Sequence, residues 1–257
     1  MPHHLPTSNS TFSPPPSERH YHSTLSIWLS VDPMSDKYPG VSPYVYCANN
    51  PVRLVDPNGR DIWEINEEGR IVSHNTTYKE KDIFYRVDNN GKRVGSVSFD
   101  PGTIEKQKSI SYSPDGKRID TYDVYQVRGD ENGTKLFVFL AQTVSDAKIE
   151  VAHFQCGLDG DKGLNFISCA HEKPYRDIRD GESCIISTDR SLWYLFSGQL
   201  KYGYTIRAIN HSHPDETFAS PADISCKLRI SDYLKKNGRT IPKFSIYHVP
   251  TGEYITY

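Results

Sequence analysis

At 257 residues the chain is long enough to bury a core of ordinary size, as one large domain or two small ones, without disulfide or metal staples. Thirty Lys and Arg against 32 Asp and Glu leave a formal charge of −2, with no basic block anywhere, which argues against nucleic acid as the main partner. No apolar run approaches the roughly 20 residues that a membrane span needs, and five cysteines (Cys47, Cys156, Cys169, Cys184, Cys226) without C-x-x-C spacing argue against a disulfide framework or a zinc ribbon.

Residues 1–22 are rich in Pro, Ser and His and nearly devoid of apolar side chains, so they read as a disordered leader. They have neither a basic n-region nor an apolar h-region, and so do not read as a signal peptide. Residues 23–60 differ. Aromatic and aliphatic residues there alternate with D-P, Y-P-G, S-P and N-N-P turn signals, which predicts short strands joined by tight turns. The motifs LSVDPMSDKYPG, SPYVYCANNPV and DPNGR within this block resemble the C-terminal end of the core of RHS-repeat proteins, the shells of bacterial polymorphic toxins. The resemblance implies that a variable toxin module follows. A polar leader stands where the family carries its repeats, so the expectation is a detached cassette: a delivered or secreted effector without its own signal peptide, cytoplasmic before export.

Residues 61–134 repeat a loose pattern, IWEINEEGRIV, FYRVDNNGKRVG, ISYSPDGKRID and YQVRGDENGTKLF. Alternating apolar residues around a polar turn predict hairpins, with Gly69, Gly91, Gly116 and Gly133 supplying positive φ, and hence a twisted antiparallel β platform. From about residue 135 the pattern changes. KLFVFLAQTVS fits a helix or a strand equally well. EVAHFQCG and GLNFISCAH read as paired strands, residues 189–202 as a helix stopped by Gly203, and YTIRAINHSHP as a strand. PADISCKLRISDYLKKNG reads as a second helix, and FSIYHV with EYITY as a closing hairpin. The fold class expected for residues 135–257 is α+β or α/β, a mixed sheet flanked by helices.

The stretch HSHPDETFASPAD carries the chemistry. His211 and His213 lie at i and i+2 on a strand, so both imidazoles point to one face and can share an ion. A catalytic zinc takes three protein ligands and keeps a position for water, and Asp223 can supply the third. Ser220-Pro221-Ala222-Asp223 is equally a good helix start, with Ser as N-cap, Pro at N1 and an acid at N3. The two explanations are compatible.

H-x-H-P followed by S-x-x-D resembles the metal-binding signature of JAMM (MPN, or JAB) metalloproteases, whose pattern also asks for an upstream glutamate on an E-x-x-x-hydrophobic-x-x-G strand. Glu150 to Gly157, with Phe154 at the apolar position, matches it. EVAHFQCGLDGDKGLNFISCAHE, LFSGQLKYGYTIRAINHSHP and IYHVPTGEYITY narrow the resemblance to the JAB-like toxin domain of RHS proteins in Bacteroidetes. It implies a Zn2+ held by His211, His213 and Asp223, with Glu150 as general base and Ser220 as donor to the oxyanion. It also implies a protein or peptide substrate, ubiquitin-like proteins among the options, and a cognate immunity protein. The chain departs from the family in one place: five residues, 215–219, separate Pro214 from Ser220 where the family commonly has six. A metal-free binding module and a nuclease toxin built on the H-x-H pair are the two other readings. His153 and His248 read as structural and solvated residues respectively, His171 and Glu172 as rim residues of the site, with Glu172 the rival to Glu150 as base although its surroundings lack the E-x-x-x-hydrophobic-x-x-G form, and the cysteines as small core hydrophobes.

Overall fold

The computed structural model describes residues 21–22, 27–28, 60–77, 81–112, 120–171, 175–179, 182–186 and 189–257. The chain divides into two units, Met1–Pro57 and Asn58–Tyr257. In the first, β1 (Tyr21–His22) pairs antiparallel with β2 (Ile27–Trp28), so the last two residues of the expected leader belong to a hairpin. The RHS-like motifs, like Gly116, lie almost entirely outside the described residues.

In the second unit, side-chain carbonyls build the turns. Asn66 Oδ1 accepts from the N–H groups of Glu68 and Arg70 (3.1 and 2.9 Å), and Gly69 behind it takes φ 75°. This turn joins β3 (Arg60–Ile65) to β4 (Ile71–Thr77). Asp88 repeats the device on Asn90 and Lys92, with Gly91 at φ 74°, between β5 (Asp82–Val87) and β6 (Arg93–Phe99). Both hairpins match the sequence expectation. The sheet they form, in the order β4-β3-β5-β6, is not antiparallel throughout, because β3 and β5 run parallel. That adjacency stacks Trp63 on Phe84 with ring centroids 4.4 Å apart, burying two large aromatics that an antiparallel meander would separate.

The strands β7 (Ile104–Tyr112) and β8 (Asp120–Arg128) leave this sheet. They join β9 (Val151–Gly157), β10 (Gly163–Ala170), β13 (Ile206–His213), β14 (Lys243–His248) and β15 (Glu253–Thr256). Together these make a seven-stranded mixed sheet, ordered β15-β14-β13-β9-β10-β8-β7, in which only β13 and β14 are parallel neighbours. The segment 61–134, expected to be one β platform, is thus divided between two sheets and the first turn of a helix. A separate hairpin pairs β11 (Tyr175–Arg179) with β12 (Glu182–Ile186).

Three α-helices accompany the sheets among the described residues: α1 (Asp130–Val144), α2 (Asp189–Gly198) and α3 (Pro221–Lys236). The ambiguous KLFVFLAQTVS segment is helical. Leu136, Phe137, Leu140, Ala141 and Val144 form a fully buried stripe at helical spacing, and their core joins Phe84 and Phe99 of the small sheet to Val151 and Ile167 of the large one, so α1 packs against both sheets. Gly133, expected in a hairpin turn, lies inside α1. Its reason is close approach: a Cβ there would stand 2.3 Å from Asn165 Cγ on β10. The second helix ends at Gly198, and a 3-10 turn, Leu200–Tyr202, carries the chain to Gly203.

Two cores lie on opposite faces of the large sheet. Along β9 the alternation is strict: Val151 joins the core around α1, whereas Ala152, Phe154 and Cys156 join the core under α2 and α3. A register slip of one residue would exchange the two sets, so the pairing is strongly specified. Among the described residues no helix is long and apolar enough to cross a membrane.

Gly133→Ala reverses an ordinary rule. In an exposed helix interior the change would stabilise by about 1 kcal/mol; here the overlap with Asn165 should destabilise by about 1–3 kcal/mol, measured as a lower urea midpoint at constant m-value.

Candidate metal centre

β13 runs through the interior of the large sheet, flanked by β9 and β14. His211 and His213 alternate with Ser212, whose Oγ turns away to accept from Val151 N–H (2.9 Å), so both rings share the α3 face. Small Ala152 lies opposite His211 on β9 and makes room for the imidazole. The chain then leaves the sheet at Pro214 and returns to the N-terminus of α3. Ser220 caps that helix: its Oγ accepts from Asp223 N–H (3.2 Å) while its own N–H donates to Asp223 Oδ2 (2.7 Å). This reciprocal box fixes the Asp223 carboxylate at the helix start.

The fixed carboxylate meets the two rings. His211 Nε2 lies 3.0 Å from His213 Nε2 and 3.2 Å from Asp223 Oδ1, and His213 Nε2 lies 3.4 Å from Asp223 Oδ2. All three residues are at most 4 % exposed. Their ligand atoms sit within 4.8 Å of one another, a group that can hold a metal ion. The five-residue loop therefore does not carry Asp223 away from the histidines.

The donor set fits a divalent cation. His213 Nδ1 faces the carbonyl oxygen of Glu216 at 3.2 Å, and a carbonyl can only accept, so Nδ1 carries a proton in either charge state; Nε2 donates to Asp223 when the ring is charged and presents a lone pair to an ion once it gives up that proton. Two imidazole nitrogens and a carboxylate oxygen, with no thiolate, suit zinc and other borderline ions. The electrostatics favour positive charge here. Burial alone would raise the Asp223 carboxyl, but hydrogen bonds from His211, His213 and the Ser220 N–H hold it far below the usual carboxylate range. Burial likewise opposes charge on His213, yet its bond to Asp223 and the nearby Glu150 and Asp223 charges lift its pKa.

The scan against protein-family models returned no match, nor did a search of the curated proteins.

Glu150 immediately precedes β9. By alternation it shares the face of Ala152 and Phe154, and its Oε1 lies 3.9 Å from His213 Nε2. The segments bearing Glu150 and His213 are tied at the surface, where Lys148, at φ 58°, pairs with Asp215 at 2.5 Å. Ser220 is half-buried beside them. His153 faces the other way, as its spacing from Glu150 predicts. It packs on Phe137 of α1 and meets Asn165 Oδ1 at 2.9 Å, and burial pushes its pKa down to about 4.

Two expectations need correction. His171 is not a rim residue: its ring is held between Thr121 Oγ1 (2.9 Å) and Asp123 Oδ2 (3.1 Å), because it continues the β10–β8 ladder and by alternation follows Ile167 and Cys169 onto the α1 face. Nor is His248 a solvated strand residue: it is 7 % exposed and stands in register beside His213. Its sequence signal was faint, a two-residue alternation with Phe244 and Ile246, and its neighbour lies 35 positions upstream. Glu172 and Cys47 lie outside the described residues. Cys156, Cys169 and Cys226 are buried, as core residues should be; burial pushes the Cys156 thiol up to about 12 and Cys169 higher still.

The depressed His153 makes stability pH-dependent. Between its unfolded value near 6.5 and its folded value near 4, the unfolded chain binds the extra proton, so stability falls as pH drops through that window. The full loss is on the order of 3 kcal/mol. Urea unfolding from pH 7 to 4 should show a flatter pH dependence for His153→Gln than for the wild type.

Proposed function

We propose that residues 135–257 form a zinc-dependent peptidase or isopeptidase of the JAMM type, the toxin-effector module of an RHS-type polymorphic toxin. The observation that carries this reading is the convergence of His211, His213 and Asp223, with the Glu150 carboxylate 3.9 Å from one of the rings. His211, His213 and Asp223 would hold the ion. Bound zinc supplies Lewis acidity, lowering the pKa of a water molecule and polarising a carbonyl.

The remaining work falls to the chain. Glu150, a half-buried acid beside the buried centre, takes a proton from the attacking water and later delivers it to the leaving amine. A C–O bond forms, the C–N bond breaks, and the products are a carboxylate and an amine. The Ser220 hydroxyl accepts its capping bond through a lone pair, which leaves its proton to donate to the developing oxyanion. On this reading the substrate is a protein or peptide, ubiquitin-like proteins among the options, an immunity protein is the cognate partner, and the chain is an effector made in the cytoplasm and delivered from it.

Glu150→Gln and His213→Ala separate the parts of this reading. The first should retain zinc in a calorimetric titration and lose hydrolysis by about 10²–10⁴-fold; the second should lose zinc. Hydrolysis is read by mass spectrometry as new peptide termini in cells producing the wild type and missing in cells producing Glu150→Gln. Equal termini from both, or full zinc binding by His213→Ala, would refute the assignment.

A further inference from the structure

We propose that His248 is a substrate-binding residue of the metal centre, hydrogen-bonding the peptide on its β14 side; this rests on the hydrolase reading above. β13 and β14 are parallel with His213 opposite His248, and Val249 N–H donates to the His213 carbonyl at 3.0 Å. Residues in register on neighbouring strands share a face, and the strands lie about 4.8 Å apart. His248 therefore stands one strand spacing from a ligand of the centre. Phe244, four residues earlier on β14, belongs to the core under α3, so the shared face is the one that carries the imidazoles.

The local chain is arranged to hold this ring. Its Nδ1 meets Thr251 Oγ1 at 2.9 Å, and the turn that brings Thr251 back is closed by Gly252, at φ 71°, whose N–H donates to the His248 carbonyl at 2.9 Å. The other ring nitrogen makes no hydrogen bond to a described residue. A ring oriented through one nitrogen, with the second uncommitted and 7 % of the residue open to the surface, is suited to a ligand that arrives from outside. A peptide flanking a scissile bond offers both N–H and C=O groups, so either tautomer of His248 finds a partner. The same pairing rationalises why the strand ends in a histidine where Phe244 and Ile246 precede it at two-residue intervals.

The test uses the zinc-loaded full chain and two probes. Acetohydroxamate offers only the metal-binding group; glycylglycine hydroxamate carries the same group on a peptide. His248→Ala should bind the dipeptide probe about three- to tenfold more weakly than the wild type, the loss of one hydrogen bond, with unchanged affinity for acetohydroxamate and unchanged zinc content. Thr251→Val, which only releases the ring, should give a smaller loss on the dipeptide probe alone. Wild-type affinity of His248→Ala for both probes, an equal loss on both, or a loss of zinc would overturn the inference and leave the hydrolase reading standing. A wild-type chain that takes up neither zinc nor probe would overturn that reading, and the role of His248 with it.

Discussion

The reciprocal cap between Ser220 and Asp223 is the constraint on which the centre depends. One pair of hydrogen bonds starts α3 and also removes the rotational freedom of the carboxylate that faces two buried imidazoles. An N-cap of this kind contributes about 1 kcal/mol to a helix, a modest amount beside the cost of burying an unpaired carboxylate. The acid is tolerated because three donors surround it: two ring nitrogens and a backbone N–H. Replacing Asp223 would therefore disturb helix, charge balance and ligand set together, whereas replacing Ser220 would first disturb the helix start.

The sheet supplies the second constraint. Strict alternation along β9 and β13 sends one set of side chains to the α1 core and the other to α3, so the polar centre sits at the rim of a hydrophobic layer that includes Phe154 and Ile209. Buried Ser212 and His153 take the opposite face, where they bond to Val151 and Asn165. Placing α1 between both sheets requires backbone to approach closely at two points. Gly133 lies against Asn165, and Gly69, at φ 75°, presses the β3–β4 turn onto Cys169. These contacts brace the face opposite the centre.

Much of this was legible in the chain. The i, i+2 histidines, the Ser-Pro-Ala-Asp helix start and the β9–β10 pair are local patterns whose physics acts within a few residues, and they fold as their periodicity predicts. What was hidden depends on partners distant in sequence. Gly133 looks like a turn glycine because Asn-Gly in a polar run is a hairpin signal; the close approach to Asn165, on another strand, is what asks for glycine inside the helix. The parallel pairing of β3 with β5 and of β13 with β14 has no short-range signature, so Trp63 on Phe84 and His248 beside His213 could not be read in advance. His171 was drawn to the rim by proximity in the sequence to β10, whereas the pleat turns it to the other side of the sheet.

The most direct measurement is X-ray absorption at the zinc edge of the metal-loaded chain. Backscattering from two imidazole rings with a further oxygen shell, and a weakened imidazole signal in His211→Ala, is the predicted result. A sulfur shell, or a spectrum unchanged by removing either histidine, would contradict a centre made by His211, His213 and Asp223.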